Sequence, residues 1–248
     1  GTYSSAFGHF ASSMGDRSTA FGDASYASGT LSTAVGANSK ANPDYSTALG
    51  AESTAGGSNA VAAGFYASAK GNSSVALGSN TYAIGNYAVA IGGDSSTAGK
   101  NDIAIGGYAS TFKKGGNGGN NIAVGYLSYA ANVGDLAIGY KSSAMGANAI
   151  AAGSNANASG NKAVALGLNA NASGSQGFAL GPYAAATGSN STALGGAIDI
   201  NGDGTIESNE QTTASGGLSM ALGSASQATQ NNATAIGGKA DATGVGAT

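Results

Sequence analysis

Apolar and polar positions along this chain recur on a seven-residue lattice. Gly occupies 15 of the 16 positions spaced by seven between Gly1 and Gly106, with Pro43 the exception, and the lattice resumes at Gly125. Ala stands two residues before most of these glycines, as in Ala20, Ala34, Ala48, Ala76, Ala90, Ala165, Ala193 and Ala235. The residue immediately before each Gly separates two phases. In one phase, running from Phe7 through Leu77 to Ile236, 14 of 16 are large and apolar; in the other, running from Met14 through Lys70 to Thr243, 3 of 15 are. The true repeat is therefore a pair of unlike heptads. Val75-Ala76-Leu77-Gly78 exemplifies its strong half and Asn157-Ala158-Ser159-Gly160 its weak half.

A coiled coil also repeats every seven residues, but it needs apolar residues at alternating spacings of three and four among helix formers. Here the period inside each unit is two, and a Gly ends every unit, which is strand chemistry. Each heptad predicts a strand of about five residues followed by a tight bend, with Gly supplying positive φ at the corner. Two strands per repeat make a flattened parallel β-solenoid. The strong strand is expected to be buried on both faces and the weak strand on one, which leaves only the weak strand free to carry Ser, Thr and Asn. So thin a coil cannot cover the second face of its strong strand. Copies of the same chain around a common axis are the economical cover, and Ala and Gly permit their close approach. Fifteen or so coils at about 4.8 Å each would give a rod of roughly 70 Å.

Composition narrows the chemistry. The 44 Gly and 53 Ala among 248 residues, with only 17 aromatics, would starve an ordinary globular core. Two prolines exclude collagen, and the absence of Cys excludes disulfides and thiolate metal sites. A net charge of −3, with no basic run longer than Lys113-Lys114, makes nucleic acid and anionic membrane poor partners. No apolar run is long enough to span a bilayer. Catalysis finds no foothold, because the only imidazole is His9 and the repeats single out no nucleophile or carboxylate beside it. Gly115-Gly116-Asn117-Gly118-Gly119 lacks the Lys-Ser/Thr and the strand-to-helix setting of a phosphate loop. The first residues already belong to the repeat, so the chain reads as cut from a longer one.

Two interruptions break the pattern. The interval from Ile105 to Val124 is one repeat plus five positions, so phase survives an insertion near 114–118. Its Lys113 and Lys114 are candidate ligand contacts on a surface loop. The interval from Leu194 to Leu222 is twice the repeat, which predicts two whole coils without the repeat sequence across 196–215. Within that stretch, Asp199 to Glu210 satisfies the calcium-loop pattern D-x-[DN]-x-[DN]-G-x5-E. Asp199, Asn201 and Asp203 would aim side-chain oxygens inward, Thr205 would offer its carbonyl, Glu207 would act through water, and Glu210 would close the shell bidentately. The flanking repeats leave no room for two long helices. A structural Ca2+ is the cofactor this loop predicts, offsetting four of the chain's twelve acids. Tyr66, Tyr87, Tyr108 and Tyr183 each follow a lattice Gly by two residues, and exposed rings at regular heights along the rod are candidate contacts for an extended protein ligand.

Asn72-Ser73-Ser74-Val75-Ala76-Leu77-Gly78, Asn86-Tyr87-Ala88-Val89-Ala90-Ile91-Gly92 and Asn161-Lys162-Ala163-Val164-Ala165-Leu166-Gly167 resemble the head repeats of YadA-type trimeric autotransporter adhesins. The resemblance covers nearly the whole chain. It implies an all-β fold, a left-handed parallel β-roll of 14-residue coils assembled as a homotrimer. Head repeats would fill 1–195 and 216–248, the EF-hand-like loop would occupy 196–215, and a neck, a stalk and a C-terminal membrane anchor would follow Thr248. It also implies a non-enzymatic virulence factor on a Gram-negative outer membrane, attaching to host matrix proteins, host receptors or other cells. The alternative is a passive spacer within a surface fibre. An ice-binding array would need a regular Thr face, which the column Asn42, Gly56, Lys70, Ile84 interrupts.

Overall fold

The computed structural model describes residues 1–111 and 119–248. Two compact units are present, Gly1–Leu127 and Ser128–Thr248. Among the described residues there is no α-helix, and the one helical turn is 3-10, Ser208–Glu210.

Each repeat folds as one coil. The triplet before the strong-phase Gly forms a three-residue strand, as in Val75–Leu77, and the weak half forms a two-residue strand, as in Tyr82–Ala83. These are shorter than the sequence pattern predicts. The corners take more of the chain, because the second residue after nearly every lattice glycine adopts left-handed backbone, with φ 55° at Tyr66, 55° at Asn80 and 59° at Tyr87. A strand cannot continue through that conformation. Pairing is parallel and joins each residue to the one a repeat later, so Val75 faces Val89, Ala76 faces Ala90 and Leu77 faces Ile91. The first unit stacks nine strong strands, from Ser5–Phe7 to Ile122–Val124, over seven weak ones, from Ser12–Ser13 to Ser96–Thr97. The second stacks seven strong strands, from Leu136–Ile138 to Thr234–Ile236, over eight weak ones, from Tyr129–Ala130 to Asp241–Ala242. The architecture is the expected all-β parallel solenoid of 14-residue coils.

Among the described residues, alanine alone makes up the buried hydrophobic interior, including Ala76, Ala83, Ala90 and Ala165, all fully inaccessible. Buried serines line it at the corners, and their hydroxyls donate to the carbonyl three residues back, as Ser74 does to Gly71 at 2.6 Å and Ser191 to Gly188 at 2.7 Å. The strong strand is therefore not buried on both faces within one chain. Successive side chains alternate across a strand, so the central Ala points inward and its large neighbours point out. Val75 and Leu77 are half-buried, and Leu49, Ile138 and Leu222 remain 40%, 43% and 39% exposed. The difference between phases thus lies in the chemistry of the outer face, since both strands turn Ala inward.

The two phases need Gly for different reasons. Gly78 has φ +136°, a region closed to L side chains, and a Cβ there would stand 2.9 Å from the carbonyl of Gly92. Gly71 has no such φ, but a methyl group on it would overlap the Gly85 carbonyl oxygen of the next coil. The residue after the weak-phase Gly has its own task. Asn72 Oδ1 accepts the Ser58 N–H at 3.2 Å, Asn86 Oδ1 that of Asn72 at 3.0 Å and Asn161 Oδ1 that of Ala147 at 3.3 Å. The Asn that opens each quoted heptapeptide satisfies a corner amide of the previous coil.

Both interruptions leave the pairing of the strong strands intact, while the weak strands stop at Ser96–Thr97 and resume at Tyr129–Ala130. Ile103 pairs with Ile122, so the strong-strand register survives the five extra positions, and positions 114–118, with Lys113 and Lys114, lie outside the described residues. Leu194 pairs directly with Leu222, and Ala186 with Ala214. The doubled interval is therefore one coil plus an excursion as long as a repeat, and not the two coils expected, because nothing in 199–210 supplies the Ala that must face inward. Two carboxylates occupy the interior row that elsewhere holds mostly Ser or Ala. Asp102 accepts the Gly99 N–H at 2.7 Å, the Thr111 hydroxyl at 2.8 Å and the Asn121 N–H at 3.0 Å. Asp135 accepts the Asn132 and Ala149 N–H groups at 2.8 and 2.9 Å.

An interior filled to the width of Ala forecasts strong sensitivity to volume. Ala165→Leu should lower stability by about 1–3 kcal/mol or more through overpacking, while outward Ser159→Ala should stay within about 0.5 kcal/mol. Chemical denaturation of the two variants measures the contrast, and equal midpoints would contradict the inward assignment of Ala165.

Candidate binding surface and inserted loop

The lattice tyrosines all sit on left-handed corners, but not on one edge. Tyr66, Tyr108 and Tyr183 follow strong strands, whereas Tyr87 follows a weak strand and stands on the opposite corner. The single column that the spacing predicts is therefore divided. Corners separated by an odd number of heptads fall on different edges of a two-stranded coil. Tyr66, Tyr87 and Tyr108 are 44%, 56% and 52% exposed, and Tyr183 is half-buried.

Acids one coil earlier hold two of these rings. The Glu52 carboxylate accepts the Tyr66 hydroxyl and keeps its pKa above the ordinary 10.0. The charge of Asp94, which also accepts the Tyr108 hydroxyl, does the same there. Asn80 Nδ2 donates to Asp94 at 2.6 Å, and the Tyr82 hydroxyl donates to Asn80 at 2.8 Å. Phe65 meets Tyr66 edge-on at 4.3 Å between centroids, and Tyr126 meets Tyr108 edge-on at 5.8 Å. The result is a pinned polar and aromatic edge from Glu52 to Tyr126. On the other edge, Lys100 Nζ lies 5.9 Å from the Tyr87 ring. Sequence reasoning passes over Glu52 and Asp94, although each precedes its Tyr by one repeat. A bulky residue at φ near +55° is sterically disfavoured, and six of the thirty described non-Gly residues with positive φ are Tyr.

The inserted loop is tied together by its own carboxylates. Asp199 accepts the Gly202 N–H at 2.6 Å and the Gly204 N–H at 2.9 Å, with φ +73° and +83° at those glycines. Asn201 Oδ1 accepts the Asp203 N–H at 3.1 Å, and Asn201 Nδ2 reaches Asp203 at 3.0 Å and Glu207 at 3.4 Å. The Thr205 hydroxyl lies 2.6 Å from Asp203 Oδ1 and equally close to Glu207 Oε1. Glu210 stands apart from these groups. It is 1% exposed, and it accepts the N–H of Ile200 at 2.6 Å, of Asn201 at 3.3 Å and of Glu207 at 3.1 Å. Burial pushes its pKa up, but the N–H groups of Ile200 and Glu207 outweigh that and leave it below the ordinary 4.5. Asp203 is held below 3.8 by the Thr205 hydroxyl first and the Thr205 N–H second. Asn201, Asp203, Thr205 and Glu207 are thus brought together at the exposed side, while Glu210 closes the base. Among the described residues, no group of three or more His, Cys, Asp or Glu side chains is disposed to hold a metal ion.

His9 lies on an exposed corner, with Nδ1 3.2 Å from Asp23 Oδ1 and its ring against Phe10. No helix among the described residues is long and apolar enough to cross a membrane.

The family model of the YadA head domain repeat matches residues 1–25, 27–53, 55–81, 83–109, 144–170, 172–197 and 214–240. Together these segments cover three quarters of the chain and leave out most of the excursion and the five-residue insertion. No curated protein matches the chain.

The acid–tyrosine pairs can be checked by titration. A phenol whose proton is held by a carboxylate ionises late, so Glu52→Gln should bring the Tyr66 pKa down towards 10.0, and Asp94→Asn should do so for Tyr108. Tyrosine ring NMR shifts followed against pH report each ring separately. Superimposable titrations of variant and parent would dissolve the pairs.

Proposed function

Because the chain belongs to the YadA head family, we propose that it is the binding head of a trimeric surface adhesin and carries no reaction of its own. The supporting observation is the outward ladder of Val, Leu, Ile and Phe, half-exposed in a single chain, as at Leu49, Ile138 and Leu222. Apolar surface of this regularity is stabilised by being covered, at about 25 cal/mol per Å2 buried. Three copies turning these ladders towards a common axis would supply the cover and leave the polar weak faces and the corners outside. The left-handed coil sense belongs to the same reading. So does its place, outside a Gram-negative outer membrane and joined to it through a stalk and anchor.

Attachment to host matrix proteins or cell-surface receptors falls to the corners in this reading. Tyr66 and Tyr108 are preorganised on one edge, with Tyr87 on the other. Tyr183, Lys113 and Lys114 remain candidate contacts. A passive spacer would present the same ladder with none of these rings in use.

Calcium is the second part of the proposal. The side chains of Asp199, Asn201, Asp203 and Glu207 and the Thr205 carbonyl form an all-oxygen donor set of the kind Ca2+ takes. The Thr205 hydroxyl has one proton for two carboxylate oxygens at 2.6 Å, so the exposed side of the loop holds more acceptors than donors. A divalent cation would offset that excess, and its role would be structural. Glu210 already serves the loop through three N–H groups, so these residues fit the ion as a set only where Glu210 keeps that closure.

In light scattering the purified head should give three times the chain mass of 23.3 kDa. Ile138→Asp should abolish assembly and folding together, since an uncompensated buried charge costs several kcal/mol. A stable folded monomer would sink the trimer. Beads coated with the trimer should adhere to matrix proteins or epithelial cells, and Tyr66→Ser with Tyr108→Ser should weaken this by about 1–2 kcal/mol per ring in use. Adhesion to none of a broad panel would favour the spacer.

Calcium should raise the melting temperature in the concentration range of extracellular modules, roughly 10⁻⁴–10⁻³ M. Asp203→Asn should remove most of that gain at little cost to the metal-free protein. Glu210→Gln should destabilise the protein with or without calcium, because the carboxylate is buried in backbone hydrogen bonds. Calorimetric titration without saturable heat would reduce the loop to a self-bonded insertion.

A further inference from the structure

The excursion does not project freely from the second unit. Its 3-10 turn, Ser208–Glu210, is held against the outer face of the weak sheet by Gln227, whose Nε2 donates to the Ser208 carbonyl at 3.1 Å and to the Gln211 carbonyl at 2.7 Å. The turn becomes a wall and the outward row of the sheet a floor. Between them lies a groove of about 260 Å3, lined beside Gln227 by Ser208, Asn209, Thr213, Thr229, Asp241 and Thr243. On the weak strands Thr213, Gln227 and Asp241 share one outward column, and Thr229 and Thr243 share the next.

The last six side chains are outward polar groups of the kind the weak strands also carry elsewhere, as at Thr54 and Ser143. Among the described residues none of the six side chains forms a hydrogen bond, whereas corner serines and asparagines elsewhere are tied to the backbone. Four hydroxyls, an amide and a carboxylate therefore converge on one concavity with donors and acceptors unused. Threonine methyls provide apolar area between the hydroxyls. Among the described residues no cationic side chain lines the groove. Its volume lies just under the roughly 300–1,000 Å3 of pockets for drug-sized molecules, which limits an occupant to about one small ring.

We infer that this groove binds a neutral pyranose unit of a glycan. Ring hydroxyls would exchange hydrogen bonds with Asp241, Asn209 and the threonine hydroxyls, and the C–H edges of the sugar would lie on the threonine methyls. The Asp241 carboxylate repels sialylated, sulfated and phosphorylated sugars, so specificity is for uncharged rings. A peptide is disfavoured, since among the described residues the groove offers no aromatic platform. The site stands independently of adhesion through the corner tyrosines.

Calorimetric titration and saturation-transfer NMR of the intact head with methyl hexopyranosides, N-acetylhexosamine and sialic acid test the assignment. Neutral sugars should bind saturably with dissociation constants of about 1 mM, and sialic acid should not. Asp241→Ala and Thr229→Val, the latter keeping shape while deleting a hydroxyl, should each weaken binding roughly tenfold with an unchanged melting curve. No saturation by any neutral sugar at about ten times that concentration, or equal binding by both variants, overturns the site. Tighter binding of sialic acid than of neutral sugars would also overturn it. Competition by the best sugar against immobilised host-cell glycans and against bacterial polysaccharide assigns the source. Release from either supports the groove, and release from neither counts against it. Bead attachment can fail while this titration succeeds, so the two readings fall separately.

Discussion

The separation of the two sheets within one coil governs everything else about this protein. A gap that admits Ala and Ser and little wider fixes the inward residue of both strands, as at Ala76 and Ala83. It brings coils close enough that a methyl on Gly71 would overlap the next carbonyl. It also makes the interior energetically poor. A buried methyl contributes about 0.8 kcal/mol, against about 1–2 kcal/mol of backbone entropy for each residue ordered. The large side chains that could shift this balance have no room inside, so they stand outside as a ladder, half-exposed in the single chain.

Much of this is legible in the sequence. The doubled heptad sets the register, and the alternation within each heptad specifies strands and not helices. The preference for Leu77, Ile91 and Leu166 in one phase is real, but it describes the outer side of the sheet and not a face buried within the chain. Hydrophobicity there marks the outward face, because the inward positions are already occupied by Ala. The tyrosines are misplaced by the linear pattern for a related reason. A seven-residue lattice hides the fact that successive heptads lie on opposite sheets, so Tyr87 cannot join Tyr66 and Tyr108. The Asn72, Asn86 and Asn161 side chains look like generic turn formers, and their bond to the coil before is visible only when the stacking is known.

The excursion shows how the stack tolerates foreign chain. Its ends return to the places from which a normal coil would have continued, so Leu222 takes the position beside Leu194. Within the loop the hydrogen bonds are local, with Asp199 and Glu210 gathering backbone N–H groups at either end. The sequence motif predicts a metal loop. The structure adds that its closing carboxylate has work without any metal, and that the same turn walls a groove on its unit's weak face.

A stack of near-identical coils has an ambiguity that globular proteins lack: shifted by one repeat, most of its contacts would be remade. Asp102 and Asp135 remove that freedom. Each is a buried carboxylate whose acceptors are met by particular donors, the Thr111 hydroxyl and the Asn121 and Ala149 amides among them. Moved one coil towards the N-terminus, Asp102 would take the place of Ala88 and lose the Thr111 hydroxyl, leaving an acceptor unmet in a dry interior. They serve as landmarks on an otherwise featureless ruler.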